Sequence, residues 1–205
     1  MADAFINEPG WKIRGISRDP SKQSSKVWSD KGVEMVAADL DDRASLETAF
    51  KGSNVIFGVT DFWQQMSIPA NHKKAEETGK AINVIAYDAE IQQGKNIVDA
   101  AQATADTLDM VVLSVLGDSK KWSHGKITWN YHFEAKWRIV EYLEKTYPAL
   151  YKKTSLFQPA FFITNLETSM APNKVSLPTS FVSPPRNISL ITVGVGWLVH
   201  LELPG

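Results

Sequence analysis

Apolar and polar positions along the chain alternate between short apolar runs and longer stretches of helical period. Lys12 to Ser17 (KIRGIS) reads as a first strand, closed by a turn at Asp19-Pro20. A polar, lysine-rich stretch from Ser21 to Lys31 reads as a short surface helix that Gly32 stops. Val33 to Ala38 (VEMVAA) is a second strand, ending at Asp39. Asp41-Asp42 then caps an amphipathic helix from Arg43 to Phe50, which Lys51-Gly52 terminates. Asn54 to Val59 (NVIFGV) is a third strand, followed by a loop from Thr60 to about Glu76. The longest helical pattern runs from Ala81 to Thr104, with Ile91, Ile97 and Val98 on one stripe. Met110 to Leu116 (MVVLSVL) is nearly continuous in apolar character, as expected of a parallel strand covered on both faces. Phe133 to Tyr147 is amphipathic again, and Thr154 to Phe157 starts a fifth strand.

Strands separated by helices in this way predict βαβ units and an α/β fold with a doubly wound parallel sheet. After about Ala171 the pattern degrades into proline- and serine-rich sequence, then an apolar tail, LITVGVGWLVHLELPG. That tail reads either as a strand with a short helix or as a terminus unmatched to this fold.

Composition narrows the function classes. With 22 basic and 23 acidic residues there is no charge excess for nucleic acid or an anionic membrane. The absence of cysteine excludes disulfides, thiolate zinc sites, iron–sulfur clusters and a cysteine nucleophile. No apolar run reaches the roughly 18–20 residues of a membrane span, and MADAFINEPGWK lacks the plan of a secretory signal. The expectation is a soluble protein of the cytoplasm. His72, His124, His132 and His200 have no HxxxH or HxH partner, so no metal site is expected. Neither GxSxG nor GxxxxGK[ST] occurs, which argues against hydrolase and P-loop readings.

A doubly wound sheet binds ligands at the carboxyl ends of its strands. The first strand ends Ser17-Arg18-Asp19-Pro20-Ser21-Lys22, where Arg18 with Lys22 would favour the 2′-phosphate of NADP over the bare ribose of NAD. A solvated basic loop is the alternative. Asp39-Leu40 ends the second strand, where an adenine ring could lie, and Asp39 could equally cap the next turn. Thr60-Asp61-Phe62-Trp63 ends the third strand on the nicotinamide side, with loop packing as the alternative for the two aromatic rings. His132 and Lys136 share a helix face. Tyr131 and Lys136 are five apart, about 140° out of alignment, so they do not form the Tyr–Lys couple of short-chain dehydrogenases. Lys136 alone remains, either as a ribose-binding or carbonyl-polarising group or as a surface lysine.

The runs WKIRGISRDPSK, GVEMVAADLDDRASLETAFKGSNVIFGVTDFW, EIQQGKNIVDAA and YHFEAKWRIVEYLEKTYPALYKKTSLFQPAFFITN together resemble the NmrA-like family over about residues 9 to 170. These are atypical short-chain dehydrogenases with a Rossmann-like sheet. They include fungal nitrogen-repression regulators and reductase-like enzymes of fungal secondary metabolism. The resemblance implies NADP as cofactor, with Arg18, Asp19, Pro20, Ser21 and Lys22 on the 2′-phosphate and ribose, and Asp39 and Leu40 flanking the adenine. It implies Thr60, Asp61 and Phe62 on the nicotinamide side, and Lys136 as a cofactor-contacting and catalytic lysine. Phe162, Ile163, Thr164 and Asn165 (FITN) would form a loop closing over the nicotinamide. Gln92 falls where a relative places a cofactor-contacting lysine.

The family opens with a strand and a G-x-x-G-x-x-G turn for the pyrophosphate. MADAFINEPGW resembles only the end of the helix after that turn. The expectation is therefore an NAD(P)-binding Rossmann domain over residues 1–170 lacking its first strand and glycine loop, then a remnant of a C-terminal substrate lobe over 171–205. In a 3-2-1-4-5 sheet, the strands at Lys12 and Met110 would then face an unfilled central position. Three functions fit these readings. The first is an NADPH-dependent reductase of a small carbonyl or conjugated substrate. The second is a non-catalytic, redox-sensing transcriptional regulator that binds a GATA-type transcription factor, which would place it also in the nucleus. The third is a degenerate fragment without activity.

Overall fold

Every strand of the parallel set grows from one of the apolar runs, and the loops that follow them all open on one edge. The computed structural model describes residues 2–159 and 198–202. In chain order the elements are α1 (Ala2–Phe5), β1 (Lys12–Ser17), α2 (Gln23–Ser29), β2 (Glu34–Ala37), α3 (Arg43–Phe50) and β3 (Val55–Gly58). They continue with α4 (Phe62–Ser67), α5 (Pro69–Thr78), α6 (Ile82–Ala103), β4 (Met110–Ser114) and α7 (Ser119–Trp122). The last are α8 (Tyr131–Thr146), α9 (Pro148–Lys152), β5 (Thr154–Phe157) and β6 (Leu198–Glu202). Asp42 caps α3 by accepting from the amides of Ala44 and Ser45 at 3.0 and 3.3 Å.

The described strands form one sheet in the order β2-β1-β6-β3-β4-β5. Neighbours β1–β2, β3–β4 and β4–β5 are parallel, whereas β6 runs antiparallel to both β1 and β3. Apart from β6, this is the strand order of a doubly wound Rossmann-like sheet, and the α/β expectation holds. The flanks of the central position need correcting. β1 and β3 border it, not β1 and the Met110 strand, because β4 is paired on both sides by β3 and β5. Nor is the position open. Leu198–Glu202, from the apolar tail, pairs with five residues of β1 (Lys12–Ile16) and three of β3 (Val55–Phe57). The backbone groups on both facing edges thus find ladder partners instead of going unpaired.

The strand period of two sorts side chains onto two faces. Ile16, Ile56, Val111 and Leu113 pack with Leu46 and Phe50 of α3, Ile97 and Val98 of α6, and Ile139 and Leu143 of α8. Ile13, Val55 and Phe57 take the other face, with Ala2 and Phe5 of α1 and Trp28 of α2. The loop expected from Thr60 to Glu76 is instead two helices, α4 and α5. Asp61 caps the first through the amides of Trp63 and Gln64, and Pro69 opens the second at its first turn, where a missing N–H costs nothing.

One close approach ties the fold to the site. A Cβ built on Gly94 of α6 would lie 2.1, 2.3 and 2.9 Å from the Cδ1, Cγ1 and Cγ2 atoms of Ile139 on α8. Only a glycine lets the two helices come this near. One turn before Gly94 is Glu90, and three residues before Ile139 is Lys136.

Candidate functional site

Because β1 to β5 are parallel, the segments that leave their carboxyl ends share one edge of the sheet. After β1, the Asp19 carboxylate accepts from the Ser21 amide at 3.0 Å and the Ser21 hydroxyl at 2.5 Å. That pair of bonds holds its carboxyl below the usual aspartate range. The buried Ser25 hydroxyl donates to the Asp19 carbonyl at 3.2 Å, and the Asp19 amide donates to Ser17 Oγ at 3.3 Å. The turn through Pro20 is therefore fixed from inside. Arg18 and Lys22 project from it exposed, and neither forms an ion pair among the described residues.

After β2, the Asp39 carboxylate accepts from the Asp41 amide at 3.0 Å, so it shapes its own turn. The Leu40 carbonyl accepts from Asn96 Nδ2 at 2.7 Å, and Gln92 Nε2 donates to Asn96 Oδ1 at 2.9 Å. Gln92 thus supports the Leu40 turn through Asn96. Leu40 itself packs, half-buried, against the α3/α6 core.

The end of β3 carries the densest polar cluster. Thr60 is buried, Glu90 of α6 has no exposed surface, and Lys136 of α8 is 6% exposed. The Lys136 ammonium donates to the Thr60 carbonyl at 2.7 Å, to Thr60 Oγ1 at 3.0 Å and to Glu90 Oε1 at 2.8 Å. The Thr60 hydroxyl in turn donates to Glu90 Oε1 at 2.7 Å. An ammonium has three hydrogens, and all three are engaged. The other carboxylate oxygen, Glu90 Oε2, is buried without a partner among the described residues.

Aromatic rings gather around His132, one turn before Lys136 on α8. Phe62 and Trp63 lie 5.7 and 5.4 Å from the His132 ring, and Phe133 lies 5.7 Å from it. Burial, with the Lys136 charge in second place, pushes the His132 imidazole down to about 4; Asp61 pulls weakly the other way. His132 is therefore neutral at ordinary pH. Trp63 keeps 58% of its surface exposed at the rim. Tyr131 packs against Tyr87 with ring centroids 5.3 Å apart.

Of the residues expected at the site, Thr60 and Lys136 are in direct contact, and Asp61 and Phe62 adjoin them. Arg18 to Lys22 and Asp39-Leu40 lie along the same edge, but at separate strand ends. The β1 and β3 ends are roughly 10 Å apart, two strand spacings with β6 between. Phe162 to Asn165 lie outside the described residues. Glu90 is the residue that sequence reasoning missed. Its signal is a carboxylate on the buried stripe of α6, among Ala86, Gln93, Gly94 and Ile97. Among the described residues no helix is long and apolar enough to cross a membrane.

The comparisons agree with this architecture. The model of the NmrA-like family matches residues 1–188. The chain is similar in structure to Pen from Bacillus thuringiensis, with a TM-score of 0.50 and 16% identity over 77% of this chain and 43% of that one. It is also similar to the Citrobacter sp. triphenylmethane reductase, solved in complex with NADP(H), with a TM-score of 0.46 and 17% identity over 73% of this chain and 40% of that one. The chain thus spans less than half the length of either structure. With a family match over most of its residues, and the strand order and sheet-edge cluster described above, this chain belongs to the NmrA-like family.

Proposed function

We propose that this chain binds NADP(H) along the carboxyl edge of its sheet and acts as an NADPH-dependent reductase of the kind found in fungal secondary metabolism. The observation that carries the reading is the exposed pair of cations, Arg18 and Lys22, without an ion pair within 4.0 Å among the described residues, on the hydrogen-bonded turn after β1. A guanidinium and an ammonium that face solvent suit a 2′-phosphate, whereas an acidic residue in their place would suit a bare ribose; the nearby Asp19 carboxylate is turned to Ser21. The Leu40 turn offers a half-buried apolar surface for a purine. Thr60, Asp61, Phe62 and Lys136 would border the nicotinamide end. The described residues contain no glycine turn for the pyrophosphate, so the fit rests on the two ends. The chemistry supplied by the dinucleotide when bound is hydride transfer to a small carbonyl or conjugated substrate.

Lys136 reaches such a substrate, or a ribose hydroxyl, by giving up one of its three bonds. The bond to Thr60 Oγ1 is the longest, at 3.0 Å, and the Thr60 hydroxyl keeps its own bond to Glu90 when it opens. Titration with NADPH followed by nicotinamide fluorescence tests the binding, and oxidation of NADPH with a panel of carbonyl substrates tests the turnover.

The engagement of all three Lys136 hydrogens also favours a second reading, a non-catalytic, redox-responsive regulator that binds a GATA-type transcription factor. Pull-down of that factor with and without NADP, beside the turnover assay, separates the two. Steady NADPH consumption with any substrate contradicts a pure regulator.

A further inference from the structure

Glu90 is a fully buried carboxylate, and one of its two oxygens, Oε1, gathers donors from two other elements. The Thr60 hydroxyl comes from the end of β3 at 2.7 Å, and the Lys136 ammonium comes from α8 at 2.8 Å. A buried glutamate and a buried lysine persist only as a pair, since either charge alone in the interior is strongly disfavoured. The pair also fixes direction. By taking the hydroxyl hydrogen of Thr60, Glu90 turns a lone pair of Thr60 Oγ1 toward Lys136, which then donates to both Oγ1 and the Thr60 carbonyl. Without Glu90 the hydroxyl is free to rotate, and the ammonium loses the one carboxylate paired with it among the described residues.

We propose that Glu90 is the positioning residue of the nicotinamide side: it holds Lys136 against Thr60, and so sets where the ammonium and the turn into α4 stand relative to a bound dinucleotide. Three features meet in this assignment. Glu90 has no exposed surface and, among the described residues, its hydrogen bonds run to Lys136 and Thr60, so it acts through them. Gly94, one turn along α6, gives α8 the close approach that brings Lys136 within reach. Oε2 is left buried and unpartnered on the described residues, which gives the carboxylate capacity for one more donor when the network rearranges.

The proposal rests on the cofactor reading above, and its test separates the two. Wild type and Glu90→Gln are compared by thermal melting, by titration with NADPH and with adenosine 2′,5′-bisphosphate, and by amine-reactive labelling of the protein without nucleotide. The bisphosphate has no nicotinamide and reports on the adenosine end, Arg18 and Lys22 with the Leu40 turn. Glu90→Gln is expected to weaken NADPH about tenfold and shift the bound nicotinamide emission while leaving the bisphosphate affinity unchanged. Labelling of Lys136, read by peptide mass spectrometry, is expected to rise at least about fivefold, with Lys153, which donates to the Leu108 carbonyl, as the unchanged reference. A folded Glu90→Gln protein with unchanged Lys136 labelling overturns the proposal, as does an equal loss of both nucleotides. Failure of wild type to bind either nucleotide overturns the cofactor reading, while the labelling still decides whether Glu90 positions Lys136. If Glu90→Gln does not fold, Thr60→Val, which removes the shared hydroxyl, is expected to give the same pattern, and Thr60→Ser to restore wild-type behaviour.

Discussion

The contact between α6 and α8 gives the most direct quantitative prediction about how the fold builds the site. In Gly94→Ala, the new methyl meets Ile139 at 2.1 Å from Cδ1, 2.3 Å from Cγ1 and 2.9 Å from Cγ2. Ordinary carbon contacts lie at about 3.5–4.0 Å, so the shortfall is well over 1 Å. Because Cγ1 and Cγ2 both clash, moving the tip of Ile139 alone does not relieve it. Overpacking of this kind costs about 1–3 kcal/mol, and alanine returns about 1 kcal/mol through helix propensity. With three atoms in conflict the upper end applies, and the net loss expected is about 2 kcal/mol. The same displacement stretches the 2.8 Å Lys136–Glu90 contact beyond hydrogen-bonding distance. Urea unfolding measures the first effect as a lower midpoint at constant slope. The cause is tested by adding Ile139→Ala. Alone it opens a cavity costing about 2–4 kcal/mol, but the Gly94→Ala methyl should then fit, so that the overpacking cost vanishes and the coupling is about 3 kcal/mol. Wild-type stability in Gly94→Ala, or strict additivity in the double variant, would refute the reasoning.

Two further outcomes are expected. Val199→Pro removes a backbone donor from the centre of β6, between Gly15 of β1 and Phe57 of β3, and should lower stability by about 1–3 kcal/mol in urea unfolding; an unchanged midpoint contradicts the central placement of this strand. His132 titrates below its unfolded value of 6.5, so its contribution is complete above about pH 6.5 and is lost as pH falls toward about 4. Melting temperature should therefore decline between pH 6.5 and 5, and His132→Phe should flatten that decline.

Much of this organisation is legible in the sequence, for reasons that differ from element to element. The helix Arg43–Phe50 is delimited by its own chemistry, with a capping aspartate at one end and Lys51-Gly52 at the other. Strands β3 and β4 are short apolar runs with sharp flanks, and the structure trims each by two residues. Helices α4 and α5 escaped because Asp61 and Pro69 punctuate loops as well as starting helices, and α4 spans only six residues. The place of β6 escaped for a deeper reason. An apolar tail declares that it will be buried, but not which sheet position it fills or in which direction. That is decided by the long-range pairing of β1 with β3 through it. Lys136 was visible as a candidate, yet its partner Glu90 was not, because two buried charges on different helices are matched only once α6 and α8 pack.

Arg18 and Lys22 are proposed to recognise the 2′-phosphate of NADP(H) at this edge of the sheet. Comparing NADPH with NADH by nicotinamide fluorescence, in wild type and in the Arg18→Ala/Lys22→Ala double variant, tests it most directly. Wild type is expected to bind NADPH at least about tenfold more tightly than NADH, and the double variant to lose this preference. No binding of NADPH at about 1 mM, or a preference that survives the double substitution, would contradict it.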